Sequence, residues 1–234
     1  MNADDDHTEG DAAAGGEPAD GASAGAGTRG RPGRPRVGEE TGPSRRRRIR
    51  EAAVAVFASK GYHDARVSDI AREAGVAHGL VYHYFSGKEE LLQDVFRRTW
   101  RTIEQGLRSI EQSGAPADQQ LTEVVRLLLG SYRMSPDLVR VVVLEVTRSG
   151  HLRAQVDEIA DAFAIIERII ATGQAAGTLR DDISARLISF VFWGAVDEIL
   201  TGWVFGTLPG SDADVAQAEH AVVELVLGGS RVAR

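Results

Sequence analysis

The chain has no cysteine. That excludes disulfides, thiolate metal sites and thiol redox switches, and it fits a reducing compartment. Long apolar runs are also missing. The longest, Leu187 to Val196, is bounded by Arg186 and Asp197 and is too short to cross a membrane. The N-terminus is acidic and has no apolar core of a signal peptide, so a cytoplasmic protein with no membrane partner is expected. Catalytic signatures are absent too. No P-loop, dinucleotide glycine fingerprint or nucleophile elbow occurs. His7, His63, His78, His83, His151 and His220 lack metal-ligand spacing with carboxylates. An enzyme is therefore not expected, and neither are a cofactor, a metal or catalytic residues.

What is present is unevenly spread. The net charge of −7 over 234 residues hides a segregation. Residues 1–28 carry seven Asp/Glu and no Lys or Arg, whereas residues 29–90 carry thirteen Lys/Arg against eight Asp/Glu. Residues 1–43 are rich in Gly, Ala, Asp and Pro without apolar periodicity, as expected of a disordered extension. Within it, "RGRPGRPR" makes a basic arm of Arg29, Arg31, Arg34 and Arg36. Such segments suit the narrow minor groove of A·T-rich DNA, where the negative potential is enhanced. A solvated basic linker is the other reading.

From Ser44 the pattern turns helical, and an all-α fold is expected. No period-two alternation lies between hairpin turns; "LVRVVVLEV" is the best strand candidate, but it reads as helix between helices. Ser44 is a candidate N-cap for a helix to Ser59, stopped by Gly61. Short helices follow at 67–74 and 77–84, joined at Gly75, and a long helix starts near Ser86. Further helices are expected near 117–132, 136–148, 151–176, 183–206 and 211–228. Two short helices joined by a tight glycine turn describe a helix-turn-helix, whose second helix fits a DNA major groove. This places a DNA-binding domain at 44–90 and a helical effector-binding and dimerisation domain at 91–230.

The stretch "LVYHYF" puts four ring-bearing residues in a row. Val81 and Phe85, four apart, form the inward pair, which pushes Tyr82, His83 and Tyr84 toward the groove and its phosphates. Tyr hydroxyls and imidazole nitrogens can bond phosphates or base edges. Lys88 adds a cation at the start of the long helix. Arg45, Arg46 and Arg47 crowd the start of the first helix, where anionic partners would relieve its dipole.

In the body, "ARLISFVFWGAVDEILTGWVFG" is apolar nearly all round and needs protein on more than one side, as a dimer contact or as an internal helix. Phe163, Trp193 and Trp203 could line a cavity or simply fill core. Asp197, beside Glu198 in this apolar helix, could orient a ligand, cap a neighbouring helix or pair across a dimer contact. The scarcity of other polar groups favours a hydrophobic effector.

Residues 45–92, through "EAAVAVFASKGY", "VSDIAREAGV" and "LVYHYFSGKEELL", resemble the DNA-binding domain of the TetR family of bacterial transcriptional repressors. The resemblance implies a homodimer paired through its last two long helices, a palindromic double-stranded operator, and a ligand cavity in the body. It also implies that His78, Gly79 and Leu80 approach bases, that Tyr82 and Lys88 hold phosphates, and that His83 and Tyr84 do either. One departure is Ala65-Arg66 where relatives have a capping Thr or Ser; Arg66 then takes a phosphate, and Ser68 is the nearest hydroxyl. "GYHDARVSDIAREAGVAHGLVYHYF" and "GAVDEILTGWV" are similar to fatty-acid-degradation regulators of that family, which implies an acyl-CoA effector. The rival function is an effector-independent architectural DNA-binding protein, which leaves the large apolar body without a purpose.

Overall fold

The computed structural model describes residues 42–148 and 157–230. The acidic segment, the basic arm with Arg29, Arg31, Arg34 and Arg36, and residues 151–156 of the expected 151–176 helix lie outside the described residues. Among the described residues every regular element is helical, so the fold is all-α.

Three helices build the head: α1 (Gly42–Lys60), α2 (Val67–Glu73) and α3 (His78–Tyr84). α1 begins two residues before Ser44, so Ser44 lies inside its first turn and is not its N-cap. Its buried face is Ile49, Ala52, Ala53, Val56 and Phe57, spaced by three and four as a 3.6-residue repeat requires. Between α2 and α3, Gly75 takes φ +62°, a left-handed conformation that costs glycine nothing. Val81 and Phe85 are fully buried and close the head core with Leu91 and Leu92.

α4 (Lys88–Glu111) is 24 residues long, about 36 Å of helix at 1.5 Å per residue. Its first turns supply Leu91 and Leu92 to the head core, while Phe96, Trp100 and Leu107 sit in the body core. One rigid rod therefore belongs to both parts. α5 (Ala117–Met134), α6 (Pro136–Arg148), α7 (Asp157–Ala175), α8 (Ala185–Phe205) and α9 (Asp212–Val222) complete the body. The "LVRVVVLEV" segment is helical in α6, which packs on α1, and its Val141 is buried in the head core. α7 approaches α5 closely at Gly173, where an added Cβ would lie 2.7 Å from the Ala117 Cβ.

α8 is capped by Ser184, whose hydroxyl oxygen accepts from the Leu187 N–H, and ends at Gly206 in the left-handed region. It is 21 residues long, well beyond the Leu187–Val196 run, and by length and composition alone it would pass for a membrane span. Its Ile188, Phe192 and Val196 are buried in the body core, and Asp197 and Glu198 interrupt it near the middle. Leu187, Phe190 and Val191 are each more than half exposed, and Gly194 opens onto free space. At helical spacing these four residues form one uncovered stripe.

Candidate DNA-reading surface and ligand cavity

α2 starts without a side-chain acceptor at its N-cap, because Arg66 carries none. The Asp69 carboxylate compensates by accepting the Arg66 N–H at 3.3 Å. It also takes Lys60 at 2.9 Å and Arg72 at 2.7 Å, tying the end of α1 to α2. The Lys60 bond is the main reason its pKa lies below the usual carboxylate value. Arg66 and Ser68 keep exposed side chains beside this cap.

α3 presents His78 and Gly79 exposed, Leu80 half-buried, and Tyr82 and His83 exposed. Tyr82 is edge-on to His78 at 5.2 Å. The space around Gly79 is open, so a duplex can approach its backbone. Tyr84 differs from the expectation of a groove-facing ring. It is half-buried against the head core, with its hydroxyl 3.6 Å from where a Gly42 Cβ would lie.

Lys88 also departs from its expected phosphate contact. Its ammonium donates to the carbonyls of Tyr62, His63 and Ala65 at 2.9, 2.8 and 3.2 Å, and lies 4.7 Å from the Tyr62 ring centroid. An ammonium has three protons, and all three are spent on the loop between α1 and α2. Lys88 is therefore a lock on that loop. Tyr62, which the sequence pattern did not single out, is its platform; Phe57 braces the ring edge-on at 5.6 Å.

The arginine cluster divides. Arg45 is half-buried at the start of α1. Arg46 pairs with Asp94 at 2.8 Å and lies over the Phe85 ring at 4.9 Å. Arg50 meets the same carboxylate at 2.5 Å with its own side chain mostly buried. Asp94, on α4, thus clamps the head's first helix to the rod. Arg47 stays exposed and pairs loosely with Glu51 at 3.5 Å.

Where α1, α4, α5 and α6 meet α7 and α8, a cavity of about 610 Å³ opens, within the ordinary range for a small-molecule site. Phe163, Trp193 and Asp197 line it, as do Trp100, Ile103 and Val142. Trp203 does not; it is buried in the core against Tyr132 at 4.9 Å, because its position on α8 turns it away from this wall. The lining also includes Arg47, Arg50 and Arg98. Sequence spacing could not place these arginines at the cavity, since they come from α1 and α4 and meet only through tertiary packing.

A helix-turn-helix head joined by one shared rod to a helical body with an apolar cavity defines a regulator that reads DNA and binds a small ligand. The chain belongs to the TetR family of bacterial regulatory proteins: residues 49–95 match that family's "Bacterial regulatory proteins, tetR family" profile, and residues 97–229 match "YsiA-like protein, C-terminal region". It is a transcription regulator and not an enzyme.

Among its relatives is the fatty acid metabolism regulator protein of Bacillus subtilis strain 168. The two are 30% identical over 183 residues, covering 77% of this chain and 93% of that protein. The fatty acid degradation regulator FadR from Bacillus halodurans superposes with a TM-score of 0.73 at 28% identity, covering 82% of this chain and 98% of that one. FadR from Bacillus subtilis, solved in complex with stearoyl-CoA, gives 0.70 at 29% identity over 78% of this chain and 98% of its own.

Proposed function

We propose that this protein is a homodimeric repressor that holds a palindromic operator without ligand and releases it on binding a long-chain acyl-CoA thioester. The observation that carries the reading is the make-up of the cavity wall. An acyl-CoA has an apolar chain and a phosphate-bearing head, and one continuous wall offers Phe163, Trp193 and Ile103 for the first and Arg47, Arg50 and Arg98 for the second. Arg47 and Arg98 are exposed, so the cationic part of the wall reaches solvent where a bulky head can remain. The stearoyl-CoA held by the Bacillus subtilis relative supports the same ligand class.

A second copy of the chain covers the apolar stripe Leu187, Phe190, Val191 and Gly194 on α8. The dimer then sets two α3 helices about one DNA turn apart, so each reads one half of a palindrome. His78, Gly79, Leu80 and His83 approach bases, while Tyr82, Arg66 and Ser68 serve phosphates.

The switch follows from position. The cavity is lined by α1 of the head as well as by the body, so an occupant presses directly on the head. Its anionic end also competes with Asp94 for Arg50. Loosening that clamp changes the tilt of α1 against α4, and the two heads no longer match operator spacing. A ligand shifts this balance only by its preference between the two states, and tenfold release requires about 1.4 kcal/mol.

The test is a titration of DNA fragments selected by the protein from a random pool. Stearoyl-CoA should release them, while free CoA and stearate should release little. Equal release by free CoA, or none by stearoyl-CoA, refutes the effector assignment. Indifference of the protein to DNA sequence at low salt removes the operator assignment and leaves the architectural alternative.

A further inference from the structure

One donor in the cavity wall has no acceptor in the protein. Trp100 lines the cavity and is 5% exposed, and its indole Nε1 is buried without a hydrogen-bond partner among the described residues. An indole N–H can only donate, and a buried one ordinarily finds a partner, because leaving it unpaired forfeits the water it gave up. Nearby hydroxyls in the same wall have committed their hydrogens. Thr99 donates to the Val95 carbonyl at 2.8 Å, Thr102 to Arg98 at 2.9 Å and Ser131 to Leu128 at 2.6 Å.

The donor is also held in place. The Trp100 ring lies 5.6 Å from Trp193, which is 4.8 Å from Phe163. Along α4, Trp100 falls between Arg98 on the head side and Ile103 on the body side. It therefore stands between the cationic and apolar parts of the wall, where an acyl-CoA has its thioester.

Building on the acyl-CoA reading, we infer that Trp100 determines specificity by donating its indole N–H to the thioester carbonyl oxygen of the effector. The aromatic row takes the chain beyond it. A ligand with the same chain and head but no carbonyl leaves the donor unpaired, as it is in the free protein, and gains nothing from it. The site thus distinguishes an acyl from an alkyl group.

The experiment measures dissociation constants of the full chain and of Trp100→Phe for palmitoyl-CoA and for S-hexadecyl-CoA, the thioether without the carbonyl oxygen. The native protein should prefer the thioester by about tenfold, the worth of a hydrogen bond made to a donor otherwise left unpaired. Trp100→Phe should show no preference while keeping the native affinity for the thioether. A preference that survives in the variant, or is absent from the native protein, overturns the inference.

Should the variant misfold, the native chain labelled with ¹⁵N-indole supplies the answer. The Trp100 Nε1–H proton resonance should move downfield with palmitoyl-CoA and not with the thioether; identical responses to both overturn the assignment. If the native protein binds neither compound, the acyl-CoA effector itself is refuted and this role with it. If it binds both equally, the effector class stands and only the role of Trp100 falls.

Discussion

A hydroxyl on the open face of a short helix can serve a duplex without disturbing the fold that carries it. Tyr82 is such a group: its ring is half exposed beside His78 while Val81, next to it, holds the core. Tyr82→Phe should weaken binding to all DNA sequences alike by about 0.5–1.5 kcal/mol, the net worth of one hydrogen bond. Substitutions at Leu80 or His83 should instead alter which bases are preferred, by about 1–3 kcal/mol at the position read. Binding to true and scrambled operators, measured side by side, separates the two classes. Lys88 makes the opposite case. Its three bonds lie inside the protein, so Lys88→Met should lower the melting temperature of the head. A phosphate-contacting lysine would leave the fold intact and reduce the salt-dependence slope by about 0.9. A changed slope with an unchanged melt would contradict the loop-lock role.

At the scale of elements, three carboxylates join helices and share one electrostatic signature. Asp69 links α1 to α2 and is held below its usual pKa mainly by Lys60. Glu90, in the first turn of α4, is lowered mainly by the Ser86 backbone N–H, which it accepts at 2.6 Å. Glu111 is lowered mainly by Arg168 at 2.7 Å, a contact that ties α4 to α7. A carboxylate depressed in the folded state contributes its full stability above the unfolded pKa of about 4, and loses it as pH falls through the lower folded value. Melting temperature should therefore hold from pH 7 to about 5 and decline as these groups protonate. Glu111→Gln should melt lower at neutral pH and flatten the decline. A curve that stays level down to pH 3 would show that these links carry no stability.

For the whole molecule, the decisive couplings are α1 to α4 and one copy to another. Asp94 holds Arg46 and Arg50 of α1 at once, so Asp94→Asn should uncouple ligand from DNA. Acyl-CoA binding should persist while the loss of operator affinity it causes shrinks by several-fold, within the usual 1–3 kcal/mol of allosteric coupling. Titration of operator complexes with ligand reads this, and an unchanged release curve would exclude the clamp from the switch. Val191→Glu places a charge in the uncovered α8 stripe. Sedimentation should then show a monomer that binds a half-site but loses the affinity gained from two linked heads. A dimer that persists would place the contact elsewhere.

Helix-turn-helix geometry was legible along the chain because it is local: Gly75 and the Val81–Phe85 spacing lie within a few residues of each other, and period alone sets which side is inward. The direction of Tyr84 was less so. Its ring packs on the head core, a contact that depends on where α1 runs. Lys88 shows the same limit, since the carbonyls it binds lie 23 to 26 residues earlier. Phe163, Trp193 and Trp203 are equally apolar, and only the rotation of α7 and α8 in the packed body assigns the first two to the cavity and the third to the core.

By itself, then, the sequence determined the helical class, the reading head and the apolar character of the last long helices, because periodicity and turn chemistry act over one or two turns. The tertiary structure alone decided that Arg47 and Arg50 of the head border the same cavity as Trp100 and Phe163 of the body. That decision rests on packing between elements far apart in the chain, and no local pattern encodes it.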